Sequence, residues 1–286
     1  MGPNPTNDFS GMRSVPPTAT AARRAEAVIT LNDPEAGANR RLRMRVPGWP
    51  GSRPGQFLMI SPGALAGVRR DDPLLPRPMA VFRESPGAEA EVEILYKVEG
   101  RGTALLAEAA VGERVRVVGP LGRPFPMPSA GEHVVVVGGG TGVASLYGLV
   151  AAAASGVRQT VVLGARSADD LMAREDFERT AAELHFTTED GSLGEAGRVT
   201  DPLARVLAEA DVASVYCCGP TPMMRACAEL AAKHDVSCVV ALENNMACGY
   251  GVCLGCAVPR VSGGYALVCR DGPVFDAREI AWEGLP

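Results

Sequence analysis

Four cysteines near the end of the chain have the types and spacing to do chemistry. The stretch "NNMACGYGVCLGCAVP" (244–259) holds Cys248, Cys253 and Cys256, and Cys269 follows, giving C-x4-C-x2-C-x12-C. Zinc ribbons usually offer two C-x2-C pairs, and only Cys253 and Cys256 make one here. The C-x4-C-x2-C run with a distant fourth cysteine is the spacing of a plant-type 2Fe–2S centre, with a shorter final gap. Gly249, Gly251 and Gly255 interleave the cysteines, as a loop needs when its N–H groups must turn inward toward cluster sulfurs. The first twenty residues, "MGPNPTNDFSGMRSVPPTAT", have no apolar core of a signal peptide and read as a disordered tail. A cytosolic chain is the expectation, and persistent disulfides are uncommon there. A 2Fe–2S centre held by the four cysteines is therefore expected, with structural zinc as the alternative. Cys217, Cys227 and Cys238 lack such spacing and read as core residues.

Two glycine-bearing junctions come next. In "VVVVGGGTGVAS", Gly138, Gly139, Gly140, Thr141 and Gly142 stand between a strand and a helix start, where free N–H groups attract a pyrophosphate. Glycines there also serve simply to make a tight turn. In "YCCGPTPMM", Cys218, Gly219 and Pro220 lie at a second strand-to-helix junction on the same sheet edge. Cys218 is either a small buried hydrophobe or a group facing a nicotinamide. Between them, Glu189 and Asp190 end a strand and are either ribose acceptors or a solvated turn. Further upstream, Arg77 between Pro76 and Pro78 could meet a phosphate, and Gly102 and Thr103 in "EGRGT" could donate to a diphosphate. Singly, these last residues read equally as a surface arginine and an ordinary helix entry.

The elements that must position these residues follow from periodicity. Residues 25–129 show short β-type runs broken by Gly and Pro, among them "AEAVITL", "GQFLMI" and "AEVEILYKV", with one helical stretch, "GTALLAEA". Alternation as in Glu91-Val92-Glu93-Ile94 signals half-buried strands, and an antiparallel β-barrel is expected. Residues 130–242 alternate short apolar strands with helical stretches such as "DDLMAREDFERTAAEL", which predicts a doubly wound parallel α/β domain. Residues 243–286 lose periodicity and form a small cysteine-bearing module. The uncharged run from Val134 to Val157 is long enough for a membrane span, but a strand, a glycine turn and a buried helix explain it better.

Composition excludes some functions. The 286 residues carry a net charge of −5, so the chain has no basic footprint for nucleic acid. Three scattered histidines, His133, His185 and His234, offer no histidine metal site or histidine-centred triad.

The order of parts, with "LENNMACGYGVCLGCAVP" and "VCRDGPVFDAREIAW" as the most specific stretches, resembles the ferredoxin-reductase-like flavoproteins. Within them it is similar to the electron-transfer subunits of NAD-linked, two-subunit dihydroorotate dehydrogenases. The resemblance covers roughly Ala25 to Trp282. It implies a barrel that binds FAD, an NAD-binding α/β domain, and cluster ligation by Cys248, Cys253, Cys256 and Cys269. It matches Arg77, Pro78, Met79 and Ala80 to an Arg-Pro-x-Ser stretch at the flavin, with Ala80 departing from the usual serine. Leu95, Tyr96 and Lys97 match a strand lining the flavin, and Gly102 and Thr103 a pair at the diphosphate. It also implies an FMN-bearing catalytic partner in a heterotetramer of two subunits each, with electrons passing through the cluster and FAD to NAD. The small subunit of an NAD(P)H:ferredoxin oxidoreductase or sulfide dehydrogenase shares the layout, and a zinc-stabilised nucleotide-binding regulator is the non-enzymatic alternative.

Overall fold

The computed structural model describes residues 22–62, 73–85 and 87–285; the expected N-terminal tail lies almost wholly outside them. The first half is one antiparallel sheet of β1 (Arg23–Pro34), β2 (Asn39–Arg45), β3 (Phe57–Ser61), β4 (Arg77–Ala80), β5 (Arg83–Glu84), β6 (Glu91–Lys97) and β7 (Arg114–Leu121). Its order is β4-β3-β7-β1-β2-β6-β5. The two outer strands are separated in sequence only by Val81 and Phe82, so the sheet curls back on itself as the expected barrel. Inward residues such as Ile29, Leu42, Leu58, Ile94 and Val115 form its core. β1 starts two residues before the boundary expected at residue 25, because Arg23 and Arg24 pair with Gly119 and Val118 of β7. The expected helix is α1 (Arg101–Glu108).

The second half holds β8 (His133–Gly139), β9 (Arg158–Ala165), β10 (Glu183–Thr188), β11 (Glu195–Ala196), β12 (Ser214–Cys218) and β13 (Ser237–Ala241), all mutually parallel. Helices α2 (Val143–Ala152), α3 (Arg174–Thr180), α4 (Thr200–Glu209) and α5 (Thr221–Lys233) cover it. Its central strands β8, β12 and β13 are buried on both faces, as interior parallel strands are, while β10 and β11 at the border are more open. Val134 and Val136 pack on the α2–α3 side, together with Phe82, Leu95 and Phe125 of the barrel half. Val135 and Val137 pack on the α4–α5 side, together with Phe57, Met59 and the cysteine module. The run at Val134–Val157 is thus strand, turn and helix, and among the described residues no helix is long and apolar enough to cross a membrane.

One expectation needs correction. The stretch "DDLMAREDFERTAAEL" is α-helical only at α3, preceded by a 3-10 turn at Ala168–Asp170, because Ala173 takes φ 55°, a left-handed conformation that starts the helix afresh. The expected C-terminal module is present and is continuous with the α/β sheet. After the hairpin of β14 (Ala257–Pro259) and β15 (Tyr265–Leu267), β16 (Val274–Asp276) joins β13 antiparallel as the sheet's last strand.

Candidate functional site

The barrel, the α/β sheet and the cysteine module meet at one cleft of about 490 Å³, a size common for small-molecule sites. β4 supplies Arg77, Pro78, Met79 and Ala80, and β6 supplies Leu95, Tyr96 and Lys97. Opposite stand Thr141 and Ser145 at the start of α2, and the segment Ala241–Met246 that leaves β13. Strand alternation separates two of these residues. Leu95 points toward the α/β half, whereas the Tyr96 ring belongs to the barrel core and its hydroxyl donates to Asn32 Oδ1 at 3.0 Å. Burial pushes the Tyr96 hydroxyl up to about 12. Tyr96 therefore offers the cleft little beyond its backbone.

The floor near α1 is a cradle for an anion. The Arg77 guanidinium lies against Gly102, where a Cβ would come within 2.6 Å of Cζ and Nε. Only glycine lets the arginine lie across the helix start. Thr103 Oγ1 accepts from the N–H groups of Glu99 and Gly100 and holds the turn that exposes this end of α1. A guanidinium over a helix start suits a diphosphate. Ala80 forms wall without a hydroxyl, so Ala80→Ser is expected to shift the midpoint potential of a bound flavin, measured by redox titration of the reconstituted chain.

Glu243 is a cleft residue that sequence reasoning missed. Its side chain is exposed at the cleft, and desolvation by the surrounding walls, then the charge of Glu99, pushes its pKa up. The available signal was its place just past β13, since ligands of open α/β sheets bind outside the carboxyl ends of strands. Cys218 lies behind this wall. Its thiol is fully buried, donates to Ala241 O at 3.3 Å, and is held protonated by burial and by the Glu243 charge. This is the packing alternative for Cys218, not the nicotinamide-facing one.

The two glycine junctions meet on the same edge. A Cβ on Gly142 would stand 2.5 Å from the backbone carbon and oxygen of Cys218. The first loop is thus pressed directly on the second, bringing Gly138–Gly142 beside Gly219 and Pro220. Glu189 and Asp190 lie further along the edge, past β10, and do not line the cleft. Asp190 accepts from Ser192 N at 3.0 Å and Ser192 Oγ at 2.6 Å, so its carboxylate closes a turn.

The four cysteines of the C-terminal loop form two pairs. Cys256 and Cys269 are buried with sulfurs 3.2 Å apart, and Cys269 N donates to Cys256 Sγ at 3.4 Å. Burial and the neighbouring Cys256 thiol push Cys269 up to about 12. Cys248 interacts with the more exposed Cys253. Burial would raise the Cys248 thiol, but the N–H groups of Cys253, Tyr250 and Val252 outweigh it and draw it down to about 6. Among the described residues no three His, Cys, Asp or Glu side chains converge as a single ion would require. Two thiol pairs with N–H groups aimed at sulfur fit a two-iron cluster, in which each iron takes one pair. By contrast, Cys217, Cys227 and Cys238 are buried in the core, as expected.

Residues 243–281 match the family model described as the iron-sulfur cluster binding domain of dihydroorotate dehydrogenase B, and residues 136–229 match the oxidoreductase NAD-binding domain. A Bacillus caldolyticus protein, "Dihydroorotate dehydrogenase B (NAD(+)), electron transfer subunit", is 41% identical over 233 residues, covering 80% of this chain and 86% of its own. The chain belongs to this family. A Methanopyrus kandleri protein, "Probable dihydroorotate dehydrogenase B (NAD(+)), electron transfer subunit", is 41% identical over 228 residues, covering 79% of this chain and 80% of its own. Among solved structures, that of an NADH-dependent reduced ferredoxin-NADP oxidoreductase is similar at a TM-score of 0.79 and 30% identity, covering 90% of each chain. The ferredoxin reductase of carbazole 1,9a-dioxygenase, at 21% identity and a TM-score of 0.61 over 75% of this chain and 67% of its own, shares the fold. Family membership accounts for the order of barrel, α/β sheet and cysteine module around one cleft.

Proposed function

We propose that the chain is the electron-transfer subunit of an NAD-linked dihydroorotate dehydrogenase, joining an FMN-bearing catalytic subunit to NAD in a heterotetramer of two subunits each. When bound, the 2Fe–2S centre supplies one-electron chemistry and FAD converts it to the two-electron chemistry that NAD requires. Cys248, Cys253, Cys256 and Cys269 would hold the cluster. Arg77, Gly102 and Thr103 would hold the FAD diphosphate, with Pro78, Met79, Ala80, Leu95, Tyr96 and Lys97 beside the flavin. Gly138, Gly139, Gly140, Thr141, Gly142, Gly219 and Pro220 would receive NAD, with Glu189 at the edge of its site.

One observation carries this reading. The segment from Glu243 to Met246 lines the cleft, and Cys248 follows Met246 by two residues. The first cluster thiol is thus within roughly 7 Å of chain from the cleft wall. On its other side the cysteine loop is open. Tyr250, Val252 and Leu254 are 51%, 79% and 62% exposed around the exposed Cys253. Large apolar side chains clustered at a surface mark a docking face, and here they surround the thiol a partner would need to approach.

Glu243 gives the cleft a protonatable group. With its pKa raised, the carboxyl keeps its proton to higher pH than an ordinary carboxylate and loses it as the pH rises through that raised value. NADH oxidation by the isolated chain is expected to show a limb at that pH, and Glu243→Gln should flatten it. An unchanged limb in the variant would remove Glu243 from the proton's route.

The likeness to the NADH-dependent reduced ferredoxin-NADP oxidoreductase favours a second reading, the small subunit of such an oxidoreductase. Co-purification separates the two. Recovery of an FMN protein that oxidises dihydroorotate supports the first; recovery of an iron–sulfur flavoprotein without that activity sinks it.

A further inference from the structure

The barrel and the α/β half are joined by a buried ionic network. Arg41 of β2 is its centre. Its guanidinium meets Glu35 at 2.7 Å, Glu93 of β6 at 2.7 Å and Asp176 of α3 at 2.6 Å. Arg83 of β5 repeats the bridge, reaching Glu93 at 2.9 Å and Asp176 at 3.1 Å. Asp176 is 3% exposed, and its third cation, Arg179, comes from its own helix. A second tie lies alongside. Glu35 Oε1 accepts from the N–H of Ala173 at 2.9 Å, the residue in left-handed conformation that starts α3. A non-glycine residue holds such a conformation only when its surroundings impose it.

This network leads to both walls of the cleft. The Arg41 and Arg83 guanidinium groups lie over the Phe82 ring, 5.2 and 5.7 Å from its centroid. Phe82 follows Ala80 of the barrel wall by two residues. Its ring packs on Tyr147 of α2 with centroids 4.5 Å apart, and Tyr147 follows Ser145 of the opposite wall by two residues. Tyr147 in turn packs edge-on against Phe177, next to Asp176, at 5.4 Å.

We propose that Asp176 is a positioning residue for hydride transfer: through Arg41, Arg83 and the Phe82–Tyr147 stack it sets how the NAD-bearing wall stands against the flavin-bearing wall. The inference rests on the functional reading above. Hydride transfer is steep in geometry, and a misplacement of about 1 Å costs about 10²-fold. Binding of each cofactor draws mainly on the loops of one half, Arg77 and Gly102 for one and Gly138–Gly142 for the other, and is less sensitive. The network therefore acts on rate while leaving affinity alone.

The test uses the assembled complex carrying Asp176→Asn, with Arg83→Gln as a second variant. Arg83 is more exposed, so its loss leaves Arg41 to hold the fold. Four quantities are compared with wild type: the single-turnover rate of NAD reduction by the pre-reduced complex, the long-wavelength charge-transfer absorbance of reduced flavin with NAD, NAD affinity by calorimetry, and amide exchange at Ala173. The expected result in Asp176→Asn is a transfer rate lower by about 10- to 100-fold, a diminished charge-transfer band and faster exchange at Ala173. NAD affinity and FAD content should stay within about twofold, a change of under ~0.5 kcal/mol. Arg83→Gln should move the same readouts in the same direction by less. Should Asp176→Asn fail to fold, Arg83→Gln decides. Folded variants with wild-type rate and band, even if less heat-stable, overturn the proposal. A wild-type complex that passes no hydride to NAD instead overturns the functional reading beneath it.

Discussion

Cys256→Ser is expected to erase the iron–sulfur chromophore while leaving the flavin in place. Cys256 is 1% exposed and paired with Cys269, so the substitution places a hydroxyl where a buried thiolate must meet iron. Serine oxygen is a harder and more weakly acidic ligand, and no solvent is present to replace it. Electron flow from the partner to NAD should fall at least ~100-fold, beyond the 10- to 100-fold that loss of a supporting partner of a metal ligand costs. Transfer from NADH to an artificial acceptor through FAD should persist, because neither Arg77 nor Gly142 depends on the cluster loop. Iron content, visible spectra and electron paramagnetic resonance check the first part, and dye reduction the second. A Cys256→Ser protein with full iron and full partner-linked turnover would remove the cysteine loop from the pathway.

Glu93→Ala is expected to cost more stability than removal of any other carboxylate in the barrel. Glu93 is 2% exposed and accepts from Arg41, Arg43 and Arg83. Deleting it removes one of the three carboxylates around Arg41, a buried charge-assisted hydrogen bond worth about 1.5–3 kcal/mol, with Glu35 and Asp176 left to compensate the guanidinium. Arg43 and Arg83 are more than a third exposed, so water screens what they lose and most of the cost falls on Arg41. Urea denaturation of the purified chain measures it. Glu89, an exposed carboxylate paired with Arg45, is the comparison, and Glu89→Ala should cost at most about 1 kcal/mol. Equal losses for the two would mean that the network contributes only surface electrostatics.

The contrast between Glu91 and Glu93 shows where sequence reading reaches its end. Glu91-Val92-Glu93-Ile94 reads as a strand with its glutamates in water, and β6 is that strand. Glu91 is half-buried, but Glu93 is covered, because a second domain lies across that face and supplies Asp176. Period-2 patterning reports one sheet's own faces and carries nothing about a cover arriving from eighty residues downstream. The four cysteines were legible for the opposite reason: their chemistry is local, and spacing alone restricts which ligand can be held. The valines of β8 were legible too, since a strand buried on both faces has no polar side to alternate. Glu243 was not, being one of 33 acidic residues until β13 places it at the cleft. Cys218 was legible in position, at a strand's carboxyl end. Whether its thiol faced the cleft or the sheet depended on Ala241, a neighbour on another strand.

The return of β16 to the α/β sheet has a consequence for how the molecule can be divided. The cysteine module closes hydrogen bonds along β13 through Val274, Phe275 and Asp276, and Leu242 N donates to Pro273 O at 2.9 Å. A chain cut after Ala241 would leave β13 as a bare, strongly apolar border, the kind of edge that recruits strands from other molecules. The cluster loop is thus not an accessory that can be grafted onto or trimmed from a finished reductase. It is an excursion within a sheet that is completed only when the chain comes back.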